Sequence, residues 1–139
     1  IQILASHPIF GPDSAADSLK DKKIVLCKTR INNELYGKIK KYLDGKDLMV
    51  IETTPEKHDK DIAKSLFLTH FVGRTLIDFD AKNVDIDTEG YKRLMKILDT
   101  VENDTQQLFE DMNKYNKYSK KIRQDFIESV NRVNMRLEK

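Results

Sequence analysis

Apolar residues in the first part of the chain come in short runs. Residues 1–5, 23–28 and 48–53 are each of strand length and end at charged or turn-forming residues, which predicts three strands. Between the last two, Leu35, Ile39, Tyr42 and Leu43 recur at helical spacing. They predict a helix over 32–43, capped by Asn32 and ended by Gly45 in a left-handed conformation. Three strands and one helix cover each other poorly, so this segment is expected to be the edge of a larger sheet.

From Thr54 onward the pattern is that of long helices with charged outer faces. Thr54-Pro55-Glu56 opens the first, whose apolar stripe runs from Ile62 through Leu66, Phe67 and Val72 to Leu76 and ends near Asp80. A second begins near Asp87-Thr88 and continues through Tyr91, Leu98, Val101 and Leu108 to Met112. In a third, capped by Ser119, Ile122, Phe126, Val130, Val133 and Leu137 make a narrow seam. Such a seam suits a partner helix, in the same subunit or in a second copy. The expected fold class is α+β and mostly α: a partial α/β unit over 1–54, then an all-helical domain over 55–139.

Composition narrows the classes of partner. The 139 residues are 39% hydrophobic and 35% charged, and 25 Lys+Arg against 23 Asp+Glu leave a net charge of +2. That balance gives no electrostatic case for nucleic acid or an anionic membrane. No apolar run approaches the roughly 18 residues of a membrane span, and the start lacks the pattern of a secretory signal. The single cysteine, Cys27, sits in an apolar run where a buried, inert thiol is expected, in keeping with a reducing, cytoplasmic setting. An opening of Ile1-Gln2-Ile3-Leu4, already strand-like and without methionine, suggests a chain that begins inside a longer protein.

Candidate chemistry centres on Ser6-His7-Pro8-Ile9-Phe10-Gly11-Pro12, where a histidine follows an apolar run and precedes a rigid turn. Ligands in open α/β sheets bind beyond the carboxyl ends of strands, which is where His7 is expected. Its alternative role is local hydrogen bonding. A second polar group, Thr69, His70, Gly73 and Arg74, shares one side of the first long helix. Gly73 costs roughly 1 kcal/mol against alanine in a helix, so a close approach of backbone or ligand is expected there. Arg74 has the planar fork that clamps a carboxylate; an ordinary polar contact between helices is the alternative for both His70 and Arg74. His58-Asp59, in a first turn, is expected to cap its helix. No histidine or cysteine spacing suits a metal, and the five glycines are too scattered for a phosphate-binding loop.

Several ordered segments carry a resemblance. They are Ser-His-Pro-Ile-Phe-Gly-Pro-Asp-Ser at 6–14, Glu-Lys-His-Asp-Lys at 56–60 and Leu-Thr-His-Phe-Val-Gly-Arg-Thr-Leu at 68–76. Ile-Asp-Thr-Glu-Gly-Tyr at 86–91, Val-Glu-Asn-Asp at 101–104, Leu108-Phe109 and Tyr115-Asn116 follow. Together they resemble the prephenate/arogenate dehydrogenases of tyrosine biosynthesis, especially the plant-type arogenate branch, with Ile9 in place of the usual methionine. The resemblance implies a Rossmann domain binding NAD or NADP, of which 1–54 would be the C-terminal part, with the glycine fingerprint upstream and the chain alone inactive. It further implies a helical substrate-binding and dimerisation domain, and hence a homodimer.

By the same resemblance His7 is the catalytic base for oxidative decarboxylation of prephenate or arogenate. Ser6 positions His7, water or cofactor, and Thr69, His70 and Arg74 line the substrate site. Ser6 and Gly73 are candidate cofactor contacts, and Asp17 is a candidate partner for arogenate's amino group. The family's bacterial members hold substrate carboxylates with arginines where this chain reads Asp99-Thr100-Val101-Glu102-Asn103-Asp104-Thr105-Gln106-Gln107. That role is expected to pass to Arg74, Gln106 or Gln107, to a partner subunit or to residues upstream. Two other readings stand beside this one: a non-catalytic helical interaction module derived from the family, and a dehydrogenase of the same architecture acting on another hydroxy acid.

Overall fold

The computed structural model describes residues 1–11 and 13–138, so Pro12, expected to help frame His7, lies outside the described residues. The chain divides into two compact units, Ile1–His58 and Asp59–Lys139.

In the first unit, β1 (Ile3–Pro8), β2 (Lys23–Arg30) and β3 (Met49–Glu52) form a sheet in that order, with α1 (Asn33–Asp44) between β2 and β3. β1 runs antiparallel to β2, while β2 and β3 are parallel. The first strand therefore extends beyond the expected 1–5 and contains His7 rather than ending before it. Pro8 is tolerated for a geometric reason. Ile9 N–H donates to the Lys23 carbonyl at 2.8 Å. Because antiparallel pairs alternate between bonded and non-bonded sites, Pro8 opposite Ile24 falls where the ladder needs no N–H.

Side-chain alternation gives the sheet two distinct faces. Ile24, Leu26 and Val50 lie on one, packed with Leu4 of β1 and with Tyr36 and Leu43 of α1. The Tyr36 hydroxyl donates to Glu52 at 2.6 Å, and Lys40 reaches the same carboxylate, so β3 and α1 are tied by polar contacts as well. Burial, then the Glu52 carboxylate, push the Tyr36 phenol up to about 12. This pairing turns α1 from its expected orientation: Leu35 and Tyr42 are exposed and Tyr36 takes the inward place.

Asn32 caps α1 as expected, its Oδ1 accepting from Leu35 N–H at 2.8 Å. Gly45, however, stays right-handed at φ −67°, and Asp47 at φ 58° makes the left-handed turn instead. A short polar residue tolerates that conformation. On the other face Val25 and Cys27 are buried, the latter as expected.

α2 (Pro55–Lys64) opens on Thr54, whose hydroxyl accepts from Lys57 N–H at 3.2 Å and caps the helix. The expected single long helix is broken at Ser65 into α2 and α3 (Leu66–Asp78). Ser65 turns its hydroxyl onto the Asp61 carbonyl at 2.7 Å, a back-bond of the kind that bends helices. Asp80, at φ 60°, closes α3 near the expected end.

The second expected helix is also two: α4 (Glu89–Val101), capped by Thr88, and α5 (Gln106–Tyr115), capped by Thr105 through Leu108 N–H at 3.1 Å. α6 (Ser119–Leu137) starts without a Ser119 cap. Ser119 is buried, and Asn116 Oδ1 accepts from Tyr118 N–H at 2.9 Å in its place.

The helical unit is organised around α3, which packs most extensively on α4 and also meets α5 and α6. Phe71 of α3 meets Phe126 of α6 edge-on at 6.4 Å between ring centroids. The tightest point is Gly73, where an added Cβ would lie 2.7 Å from Cγ2 of Val101, itself 0% exposed, and 3.2 Å from Cγ2 of Ile97. Val101 is β-branched and stiff at χ1, so it cannot swing aside cheaply.

Gly73→Ala is therefore expected to destabilise the chain by about 1–2 kcal/mol in urea unfolding, because overpacking outweighs the roughly 1 kcal/mol gain in helix propensity. Adding Val101→Ala should give a double variant less destabilised than the sum of the two singles. A Gly73→Ala protein as stable as the parent would contradict this account of the helix contact.

Candidate functional site

β1 holds His7 in register with Val25, on the sheet face opposite α1, and α2 begins with His58 in its first turn. Both imidazoles are half-buried. Their nitrogens, His7 Nδ1 and His58 Nε2, lie 2.8 Å apart, with the rings edge-on at 68° and 5.1 Å between centroids. His58, expected to cap a helix, is also a direct partner of the candidate base. Burial first, and His58 second, hold the pKa of His7 below its usual 6.5, so the ring is neutral at neutral pH. A neutral imidazole can take up a proton.

Ser6 does not join this pair. It is paired with Leu26 and so projects to the α1 face, away from His7, because neighbouring strand residues point to opposite sides. Asp17 is exposed in a bend after the short 3-10 turn Asp13–Ala15 and makes no hydrogen bond or ion pair among the described residues.

The helical unit carries a separate polar group. His70 is 4% exposed, and its Nδ1 faces the Asp104 carboxylate at 3.4 Å, an electrostatic contact without hydrogen-bond geometry. Burial lowers the His70 pKa, Asp104 opposes that shift and Arg74 adds to it. Arg74 Nη2 donates to the Asp104 carbonyl, and its guanidinium sits 5.8 Å over the Phe109 ring. Its fork is thus spent largely on the α4–α5 turn. Nε of Arg74 is buried without a hydrogen-bond partner. Thr69 directs its hydroxyl back to the Ser65 carbonyl at 3.0 Å.

Gly73 faces Val101, so its close approach serves helix packing rather than a cofactor. Gln106 and Gln107 donate to Glu110 and Asp111 along α5, each at 2.9 Å, and are exposed. A cleft of about 760 Å³ beside α4 is lined by Arg74, Met95, Leu98 and Lys96, with Asp99 and Glu102 offsetting its cations.

Two members of these groups were not legible in advance as site residues: His58 as partner of His7, and Asp104 as partner of His70 and Arg74. Asn103-Asp104-Thr105 did carry a signal, since a cluster of capping residues marks a turn between helices.

The described residues offer no cradle for a dinucleotide pyrophosphate. The β2–α1 connection, Ile31-Asn32, contains no glycine, and no described glycine has positive φ. Among the described residues no group of three or more His, Cys, Asp or Glu is placed to hold a metal, and no helix is long and apolar enough to cross a membrane.

Comparison with known proteins places these features in context. Residues 75–139 match the family described as TYRAAT1-like, C-terminal domain. Arogenate dehydrogenase 2, chloroplastic, of Arabidopsis thaliana is 32% identical over 119 residues, 82% of this chain and 33% of that protein. A probable arogenate/prephenate dehydrogenase of Methanocaldococcus jannaschii is 27% identical over 145 residues, covering 96% of this chain and 31% of its own length. The chain thus spans about a third of these relatives.

The fold is shared with solved structures. Synechocystis arogenate dehydrogenase superposes with a TM-score of 0.70 at 20% identity, covering 98% of this chain and 54% of its own. Prephenate dehydrogenase from A. aeolicus, in complex with hydroxyphenyl propionate and NAD+, gives 0.70 at 22% identity over 95% of this chain and 50% of its own.

Proposed function

We propose that the chain belongs to the prephenate/arogenate dehydrogenase family and supplies the catalytic base and the helical domain of an enzyme that oxidatively decarboxylates prephenate or arogenate, a reading supported by its likeness to arogenate dehydrogenases. The observation that carries this reading is His7: half-buried on a sheet strand, neutral at neutral pH and held by a second imidazole. In the reaction, neutral His7 accepts the proton of the substrate's ring hydroxyl as the hydrogen on the same carbon departs as hydride. The bond to the ring carboxylate then breaks, its electrons complete the aromatic ring, and CO2 leaves. A nicotinamide cofactor, NAD or NADP, supplies the hydride acceptor; its pyrophosphate contacts are assigned to residues outside this chain.

In the helical unit His70 is the candidate substrate contact; its buried Nδ1 and the buried Nε of Arg74 have no hydrogen-bond partner among the described residues. Asp17 remains the candidate partner of an amino group. The cytoplasm is the proposed compartment, a reducing setting that suits the single, buried Cys27.

A homodimer is part of the same proposal. The α6 seam divides: Ile122 and Phe126 are half-buried within the helical unit, whereas Val130, Val133 and Leu137 are 51%, 55% and 81% exposed. An exposed apolar stripe of that kind suits a second copy.

Replacement of His7 by Asn in the enzyme should preserve shape and lower kcat by about 10²-fold or more, with a smaller change in KM. Steady-state kinetics with prephenate and arogenate offered separately check this, and near-normal turnover would refute the assignment. For the dimer, light scattering at micromolar concentration should give twice the 16.2 kDa chain mass, and Val130→Glu with Val133→Glu should give monomer. A parent chain that remains monomeric would count against the α6 interface.

A further inference from the structure

The contact between His7 and His58 implies more than proximity. Two imidazole nitrogens 2.8 Å apart need one proton between them. With none, two lone pairs face each other; with two, the protons collide. The neutral pair therefore has two arrangements. In one, His58 Nε2–H donates to His7 Nδ1, and His7 must carry its own proton on Nε2. In the other, His7 Nδ1–H donates to His58 Nε2, and Nε2 of His7 is an open lone pair.

We propose that His58 is a positioning residue for His7: its Nε2 accepts the Nδ1–H of His7 and fixes the tautomer in which His7 Nε2 is the base. The direction of this bond rests on the reading of His7 as the base, whereas the bond itself rests on geometry alone.

The supports are structural. His7 lies within the β1–β2 ladder opposite Val25, and His58 N–H donates to the Thr54 carbonyl at 2.9 Å within the first turn of α2. Both rings are thus carried by regular elements rather than loops, the condition for a fixed catalytic geometry. When His7 takes the substrate proton on Nε2 it becomes an imidazolium. Its Nδ1–H then makes a charge-assisted bond to His58, and the pair gains a single positive charge. His58 touches neither substrate nor cofactor in this scheme; it acts through His7.

Nitrogen-15 spectroscopy of the full chain near neutral pH tests the proposal without reference to activity. The expected result is a protonated Nδ1 and an unprotonated Nε2 on His7, with a scalar coupling across the hydrogen bond to His58 Nε2. His58→Leu, which removes the acceptor, should move His7 toward the Nε2–H tautomer, while His58→Gln, whose side-chain carbonyl can accept, should retain the Nδ1–H form. A parent chain with no coupling, or with His7 protonated on Nε2, would overturn it. So would a His58→Leu chain with an intact backbone spectrum and an unchanged His7 tautomer. If His58→Leu fails to fold, the parent coupling and the His58→Gln tautomer still decide. Loss of turnover in His7→Asn without the coupling would leave the base assignment standing and remove His58. The coupling together with normal turnover in His7→Asn would do the reverse.

Discussion

Successive side chains on a strand point to opposite faces, so the register between β1 and β2 decides which residue of the Ser6-His7 pair reaches the face that carries Val25 and Cys27. With His7 opposite Val25, the imidazole is on that face and its Nδ1 meets His58. A slip of one residue would deliver Ser6 there and turn His7 toward α1. The Ile9–Lys23 hydrogen bond continues the ladder past Pro8, holding this register at the strand end where the sequence suggests a turn. Leu4 of β1 packs with Ile24 and Leu26 on the α1 face, a contact that a one-residue slip would remove. The proton chemistry proposed for His7 therefore depends on a sheet pairing as much as on the residues named in it.

A comparable constraint organises the helical unit. Gly73 brings the α3 backbone against Val101, the last residue of α4, and the chain then turns at once through Glu102, Asn103 and Asp104. This turn places the Asp104 carboxylate by His70 and its carbonyl by Arg74. The glycine thus acts on the polar group at a distance, by setting where α4 ends.

Much of this was legible in the linear pattern. Three strands, the cap at Asn32, the start at Thr88 and the mostly helical second part follow from run lengths, periodicity and capping residues. The breaks in the helices did not, because the apolar period passes through them in phase. Val101 and Leu108 stand seven residues apart, two helical turns, with a turn and the Thr105 cap hidden between them. The break at Ser65 likewise interrupts a stripe that continues at Leu66. His7 could be singled out by its neighbours, but its partner lies 51 residues away and meets it only through sheet register and the start of α2. Arg74 and Gly73 drew notice for sound chemical reasons. The folded chain answers much of what they invited with its own Asp104 carbonyl and Val101 methyls.

The central claim is that half-buried, neutral His7 is the base, and the pH dependence of kcat/KM in the enzyme tests it most directly, since that profile reports the essential base of the free enzyme. His7 must be unprotonated to work, and burial and His58 both lower its pKa. The account predicts that kcat/KM stays level through neutral pH and falls on acidification, along a limb centred below 6.5. A limb centred above 6.5, or a rate that rises as the pH falls, would contradict it.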